Sequence, residues 1–279
     1  MCFVERMGWQ WPRDAVRFLS VSVLDVQDYR DWLQSEYSAK TVNRRLSSLS
    51  SWFKYLSASA AELRLPINIP NPAHAQFIPR GQAEPEKPAQ ALGLGTVRKL
   101  LTLPEGDDPV SLRDKAVLAL FFYSGARIGA IARLEVEDLY IDDDNGAELM
   151  LEEKGGKTRK IGLHTVAASA VAGYVEQCGL ESGPLFRRAS SSRSRELGDE
   201  GLSTRSLRSL LRRYYQQLPD GDRFSPHSAR ATVATELLEA GVDLAKVQEL
   251  LGHRSITTTM EYDKRRRSTK QSASHDLPY

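Results

Sequence analysis

The stretch NPAHAQFIPRGQAEPEKPAQ, from Asn71 to Gln90, carries four prolines and little apolar periodicity, and it limits what the rest of the chain can fold into. Proline removes a backbone donor and pushes the residue before it out of the helical region, so this segment is predicted to be extended and exposed rather than packed. At 279 residues the chain is also longer than one hydrophobic core usually serves. Two domains are therefore expected, at residues 1–70 and 93–279, joined by a linker at 71–92.

The first domain reads helical. Its four tryptophans, Trp9, Trp11, Trp32 and Trp52, are the only ones in the chain. From Ser38 to Leu56 the apolar residues Val42, Leu46, Leu49, Phe53 and Leu56 recur at spacings of three and four, the period of one buried helix face. Lys40, Arg44, Arg45 and Lys54 fall elsewhere on that helix, as a solvated face or as cations offered to an anion.

Beyond the linker, Leu112 to Leu134 reads as a buried helix that closes near Gly125 and restarts at once with ARIGAIARL. A β signature follows: LYID, a turn at Asp144, Asn145 and Gly146, the strand AELMLEE, the turn KGGK, and the strand TRKIGLH. Further helices are expected at Leu202 to Gln216, Ser225 to Ala240 and Asp243 to Leu251, the second with Ser225 as N-cap, Pro226 in its first turn and Gly241 at its end. ASSSRSR at 189 to 195 looks like an exposed loop. The fold class is mainly α with a small three-stranded antiparallel β-sheet.

Composition removes several functions. The longest apolar run, Ala116 to Tyr123, is far short of a bilayer span. Two cysteines, Cys2 and Cys178, cannot make a disulfide framework, and no secretory leader is evident at the start. A cytoplasmic location is the expectation. The net charge of +2 does not announce a nucleic-acid partner, so any anion-binding surface has to be assembled by folding.

The chemistry lies in scattered residues of the second domain. Arg127 follows Gly125 at the helix restart, and Lys154 sits in the Gly-rich β-turn. His227 and Arg230 are three apart at a helix start and so share a face. His253 follows Gly252 just past a helix end, and Tyr262 lies nine residues later in HRSITTTMEY. Each alone has an ordinary explanation as a capping, core or solvated residue. Such explanations predict no fixed order or spacing.

The combination resembles the tyrosine recombinase family, the phage-integrase group with its Cre-like and Xer-like enzymes. RDKAVLALFFYSGARIGAI looks like the box around the family's first catalytic arginine, and EKGGKTRKIGLH like the hairpin that presents its lysine. SPHSAR is similar to the His-x-x-Arg box, and LLGHRSITTTMEY to the box ending in the nucleophilic tyrosine. Upstream, KTVNRRLSSLSSWFKYL followed by NPA resembles the end of a helical core-binding domain. The expected architecture is that domain followed by an α+β catalytic domain with a C-terminal tail.

That resemblance implies cleavage and rejoining of DNA with no metal or nucleotide cofactor. Tyr262 would attack the scissile phosphate, Arg127 and Arg230 would hold it, and His253 would donate to the same oxyanion. His227 would assist proton transfer, and Lys154 would be the acid for the leaving 5′ oxygen. Arg205, Arg208 and Arg212 recur at three and four residues on the 202 to 216 helix, which would lie in a major groove, with Lys40, Arg44 and Arg45 contributing from the first domain. The two domains would clamp a duplex carrying an inverted-repeat core site. The implied assembly is a homo-tetramer on two sites, monomeric or dimeric off DNA, with the cationic run Lys264 to Arg267 in a tail packing on a neighbouring subunit. A second recombinase or accessory factor is a possible further partner.

Three features depart from the family pattern. Position 130, three after Arg127, often carries an acid and here is Ala130, so whatever orients Arg127 has to come from elsewhere. Ala231 stands where histidine is common. Only about 25 residues precede VLDVQDYRDWL, so the first core-binding helix is expected to be short or missing. Two alternatives share the fold: a type IB topoisomerase, which relaxes supercoils without exchanging partners, and a catalytically weak DNA-binding protein, which would be expected to lack the tyrosine or an arginine.

Overall fold

The computed structural model describes residues 2–82, 89–141, 146–153, 156 and 158–263. Lys154, the turn residues Asp144 and Asn145, and the run at 264–267 lie outside them. The chain divides into two compact units, Met1–Lys87 and Pro88–Tyr279.

The first unit contains helices α1 (Phe3–Arg6), α2 (Val23–Glu36) and α3 (Ala39–Glu62), with a 3-10 turn at Ala15–Ser20 between the first two. Ser22 opens α2 with a capping box, its hydroxyl accepting from the Asp25 amide while the Asp25 carboxylate accepts from the Ser22 amide. The predicted face of α3 is the buried one, with Val42, Leu46, Leu49 and Phe53 inside. Phe18 meets Trp9, Trp11, Trp52 and Phe53 edge-on, which explains why the tryptophans cluster in this part of the sequence. Arg44 is exposed, whereas the Arg45 guanidinium lies 4.2 Å from the centroid of the Tyr37 ring.

The proline-rich segment is anchored at particular positions, although most of its described residues are exposed as its composition predicts. Ala73 and Ile78 are fully buried in the first unit's core. Asn71 donates to the Ser50 carbonyl at 3.1 Å, and Asn43 exchanges two hydrogen bonds with the backbone of Gly81. At the other end Leu92 is buried in the second unit, and its amide donates to the Thr232 hydroxyl at 2.8 Å. The linker is therefore shorter than 71–92 at both ends. Proline excludes helix; it does not exclude packing, because the segment's backbone can bond to side chains, as Gly81 does to Asn43 and Ala73 to Asn71.

In the second unit α4 (Leu94–Thr102) is followed by α5 (Pro109–Ser124), α6 (Ile128–Ile131), β1 (Leu139–Ile141), β2 (Ala147–Glu152), β3 (Thr158–Leu163) and α7 (Thr165–Gln177). Next come β4 (Arg187–Ala189), β5 (Leu197–Gly201), α8 (Thr204–Tyr215), α9 (Pro226–Glu239), α10 (Leu244–Leu251) and α11 (Ile256–Met260). Helix α5 starts at the N-cap Asp108 with Pro109 in its first turn. It is buried nearly all round, with α4, α7 and α9 packed against it. The first three strands form an antiparallel sheet in the order β1-β2-β3, with Leu149 opposite Ile161. Along β2, Ala147, Leu149 and Leu151 face the core in the two-residue period of a half-covered sheet. No helix among the described residues is long and apolar enough to cross a membrane.

One glycine in this unit decides where the site forms. Gly125 ends α5 in the left-handed conformation at φ 59°. A Cβ there would lie 2.6 Å from Leu251 Cδ2 and 3.3 Å from Val233. Gly125→Ala is expected to lower stability by about 1–3 kcal/mol from the backbone conformation alone, with the Leu251 clash adding to it. The measurement is a fall in the urea midpoint at unchanged m-value.

Candidate active site

Four backbone carbonyls at the end of α10 organise the site. The last carbonyls of a helix have no intrahelical partner and carry its negative dipole end, so they attract guanidinium groups. Here three arginines from different parts of the chain cap them. Arg159, on β3, donates to Glu249 O at 3.2 Å and to Leu250 O. Arg230, on α9, donates to Leu251 O, and Arg127 donates to Gly252 O at 2.8 Å. Gly252 caps α10 in the left-handed conformation at φ 62°, and a Cβ on it would come within 3.0 Å of Arg159 Nε and 3.1 Å of Glu153 Oε1. The LGH sequence is thus fixed both by the turn and by the arginines crowded against it.

Arg230 is buried in the first half of α9, where it also donates to Gly125 O at 2.8 Å. Burial, helped by the neighbouring charges of Arg127 and Arg159, pulls its pKa down to about 10, so it stays protonated at neutral pH. Arg127 is the N-cap of α6, and its side chain is 38% exposed toward a cavity of about 440 Å³ that it shares with Ala130, Glu153, His227 and Arg230. His227 is exposed in the first turn of α9 at the edge of this cavity.

His253 is buried just past Gly252, its amide donating to Gln248 O at 3.1 Å. Burial first, and then the charges of Arg230, Arg127 and Arg159, push its pKa down to about 4. The ring is therefore neutral at pH 7. Its Nδ1 lies 2.8 Å from the hydroxyl of the fully buried Thr259. In the tautomer in which Thr259 donates to Nδ1, Nε2 keeps its proton and can donate to an oxyanion. Tyr262 stacks on His253, with ring centroids 6.1 Å apart and planes 14° apart. Burial raises the phenol's pKa above its usual 10; Arg230 opposes that rise and Glu261 reinforces it.

The chain folds five of the six residues singled out above, Arg127, His227, Arg230, His253 and Tyr262, around the α10 terminus; Lys154 lies outside the described residues. Ala231 is fully buried in α9. Three participants are not singled out by sequence. Glu153 pairs with Arg127 and lies 3.0 Å from Arg159, Arg159 caps α10, and Thr259 partners His253. Only Ala130 offers a signal for the first of these, since an arginine lacking its usual acid needs another.

The sequence pattern of the phage integrase family matches residues 93–268, which contain this whole constellation. The chain belongs to the phage integrase family. The tyrosine recombinase XerC of Natranaerobius thermophilus is 34% identical over 228 residues, covering 81% of this chain and 72% of that protein. XerC of Neisseria meningitidis serogroup C is 33% identical over 234 residues, 83% of this chain and 70% of that one. Two solved structures share the fold. XerH site-specific recombinase bound to a palindromic difH substrate superposes with a TM-score of 0.64 at 18% identity, covering 88% of this chain and 70% of that one. The Tn1549 transposon integrase in complex with circular intermediate DNA gives 0.59 at 20% identity, covering 94% and 86%. The chain is accordingly a tyrosine site-specific recombinase. Among the described residues of this recombinase no group of three or more His, Cys, Asp or Glu side chains is arranged to hold a metal ion.

Proposed function

We propose that this recombinase cleaves and rejoins double-stranded DNA at an inverted-repeat core site through a 3′-phosphotyrosyl intermediate, without metal or nucleotide cofactor. The observation that carries the proposal is the stacking of Tyr262 on His253, which puts the phenol beside the residue whose neighbour, Gly252, is held by Arg127. In the cleavage step the Tyr262 oxygen attacks phosphorus, the P–O5′ bond breaks, and the 5′ oxygen takes a proton. Lys154 is proposed as the donor of that proton and His227 as the acceptor of the phenol's. Arg127 and Arg230 offer planar, permanently charged donors to the non-bridging oxygens. His253 adds a neutral one. The bond energy is kept in the phosphotyrosine, so a second 5′ hydroxyl can reverse the step. Exchange between two duplexes requires four strand cuts, and each chain supplies one nucleophile, so the proposed assembly is a tetramer on two sites.

Helix α8 is proposed as the groove-reading element. Arg205, Arg208 and Arg212 are exposed on it, while Leu207, Leu210, Leu211 and Tyr214 face the core. Arg208→Ala is expected to weaken duplex binding and to lower the slope of log affinity against log salt by about 1 for each phosphate it no longer neutralises. An unchanged slope would remove Arg208 from the groups that bind the DNA backbone. The same titration extends to Arg205 and Arg212 on α8, and to Lys40, Arg44 and Arg45 in the first unit.

The test of the whole reading is covalent capture. The protein is incubated with a pool of duplexes carrying one nick at a fixed position within randomised sequence, so that a short cleaved fragment is lost and rejoining is blocked. An adduct stable to SDS, with the nucleotide mapped to Tyr262 by mass spectrometry, is the expected result. No adduct, or one mapped to another residue, refutes the mechanism. Relaxation of plasmid DNA lacking any captured site would point to the topoisomerase alternative.

A further inference from the structure

We propose that Glu153 is the positioning residue of Arg127, acting through a relay to Arg159 and the end of α10. This rests on the proposed role of Arg127 at the scissile phosphate. Nothing on α6 can orient Arg127, since the residues one turn along are Ala130 and Ile131, both buried and apolar. The carboxylate comes instead from the residue following β2. One Glu153 oxygen, Oε2, accepts from Arg127 Nη1, and the other, Oε1, accepts from Arg159 Nη2 at 3.0 Å. Arg159 is anchored in turn by its Nη1 on Glu249 O at 3.2 Å and on Leu250 O. The second hold on Arg127 is direct, Nη2 to Gly252 O at 2.8 Å. Both routes end on the same helix terminus, the one that also holds Arg230 through Leu251 O and precedes His253. Fixing Arg127 to this frame fixes it relative to the other phosphate-binding groups.

Exposure separates the frame from the working face. The side chains of Glu153 and Arg159 are 12% and 15% exposed, against 38% for Arg127. A guanidinium has five donors, so Arg127 retains hydrogens for two phosphate oxygens after both holds are made. Charge gives the opposite expectation, and this makes the proposal testable. Glu153 subtracts one positive charge from a site meant to attract a phosphodiester, so if it were only a neutralising partner its removal would speed the reaction. Placement is the stronger effect, because one preorganised donor is worth on the order of a hundredfold or more in rate.

The experiment compares full-length wild type, Glu153→Gln, Arg159→Lys and the double variant on the nicked randomised pool. Glu153→Gln keeps the shape and loses the charge. It is expected to form adduct about 10- to 100-fold more slowly while binding the same pool as tightly as wild type or a few-fold tighter. Arg159→Lys keeps the charge and loses the fork that spans Glu153 and the two carbonyls. The double variant is expected to be no worse than the slower single one within about twofold, since both act on one relay. A Glu153→Gln rate at or above wild type, or multiplicative effects in the double variant, overturns the proposal. A readout without DNA accompanies this: in ¹⁵N-arginine NMR of the free protein, the guanidinium signal missing in Arg127→Lys should show hindered rotation in wild type and lose it in Glu153→Gln. Persistence of that signal also overturns the proposal. A wild type that traps no DNA refutes the function proposed above, and the NMR arm then decides the Glu153 relay independently.

Discussion

Tyr262→Phe will form no SDS-stable adduct, while its duplex affinity and its urea midpoint stay close to wild type. Everything that Tyr262 does in the fold, apart from the chemistry of its oxygen, survives the change. The ring stacks on His253 and packs against the α9–α10 cluster of Val233, Leu238, Val247 and Leu251. The hydroxyl makes no hydrogen bond to the described residues, so its loss should alter stability by no more than about 0.5 kcal/mol. Arg127 and Arg230 are cations without a nucleophilic lone pair and His253 is buried, which leaves His227, exposed at the cavity edge, as the one other nucleophile among these residues. The raised pKa of Tyr262 adds a second consequence. Burial makes the phenolate scarcer at neutral pH than for a free tyrosine, of which about one in a thousand is ionised. Proton loss has to accompany attack, which is why a base at the cavity edge, the place of His227, is part of the proposed mechanism. Adduct formation by Tyr262→Phe would mean that another side chain carries the bond.

The parts of the fold legible in the sequence are those with one strong local cause. The apolar face of α3, the Ser225-Pro226 start of α9 and the alternation in β2 each state their element within a few residues. Helix α7 is not legible, because its buried face is built largely from Ala167 and Ala168 with Val171 and Tyr174, and alanines give little periodic contrast. The β4–β5 pair is hidden because its strands are short and carry Gly198, Asp199, Glu200 and Gly201, residues that seldom mark a strand. The proline-rich linker misleads for a related reason, since its backbone at Gly81 bonds to the side chain of Asn43, 38 residues away, a contact no local pattern encodes. In the site, the residues proposed to meet the DNA stand out by type and order. Those that hold them, Glu153, Arg159 and Thr259, do not, because their roles are tertiary contacts across β3, α10 and α11 that no local pattern encodes.

Catalysis and stability should separate at Arg230. Arg230→Met, which keeps length and loses every donor, is expected to slow adduct formation by about 100- to 1000-fold. Its effect on stability should be much smaller than the loss of two buried hydrogen bonds suggests. Gly125 O and Leu251 O each lose a charged donor, worth about 1.5–3 kcal/mol apiece. Against this, the wild-type guanidinium is buried beside Arg127 and Arg159, and a pKa lowered from 12.5 to about 10 corresponds to about 3 kcal/mol that its charge costs the folded state. Methionine removes that cost and fills the same space. The second term offsets half or more of the first, so the urea midpoint should correspond to a loss of no more than about 3 kcal/mol. A fold that tolerates the loss of a buried arginine this well holds the charge for its ligand rather than for itself. If instead Arg230→Met unfolds the second unit while the surviving folded fraction cleaves at the wild-type rate, Arg230 is a cap for α10 and the phosphate is bound by other groups.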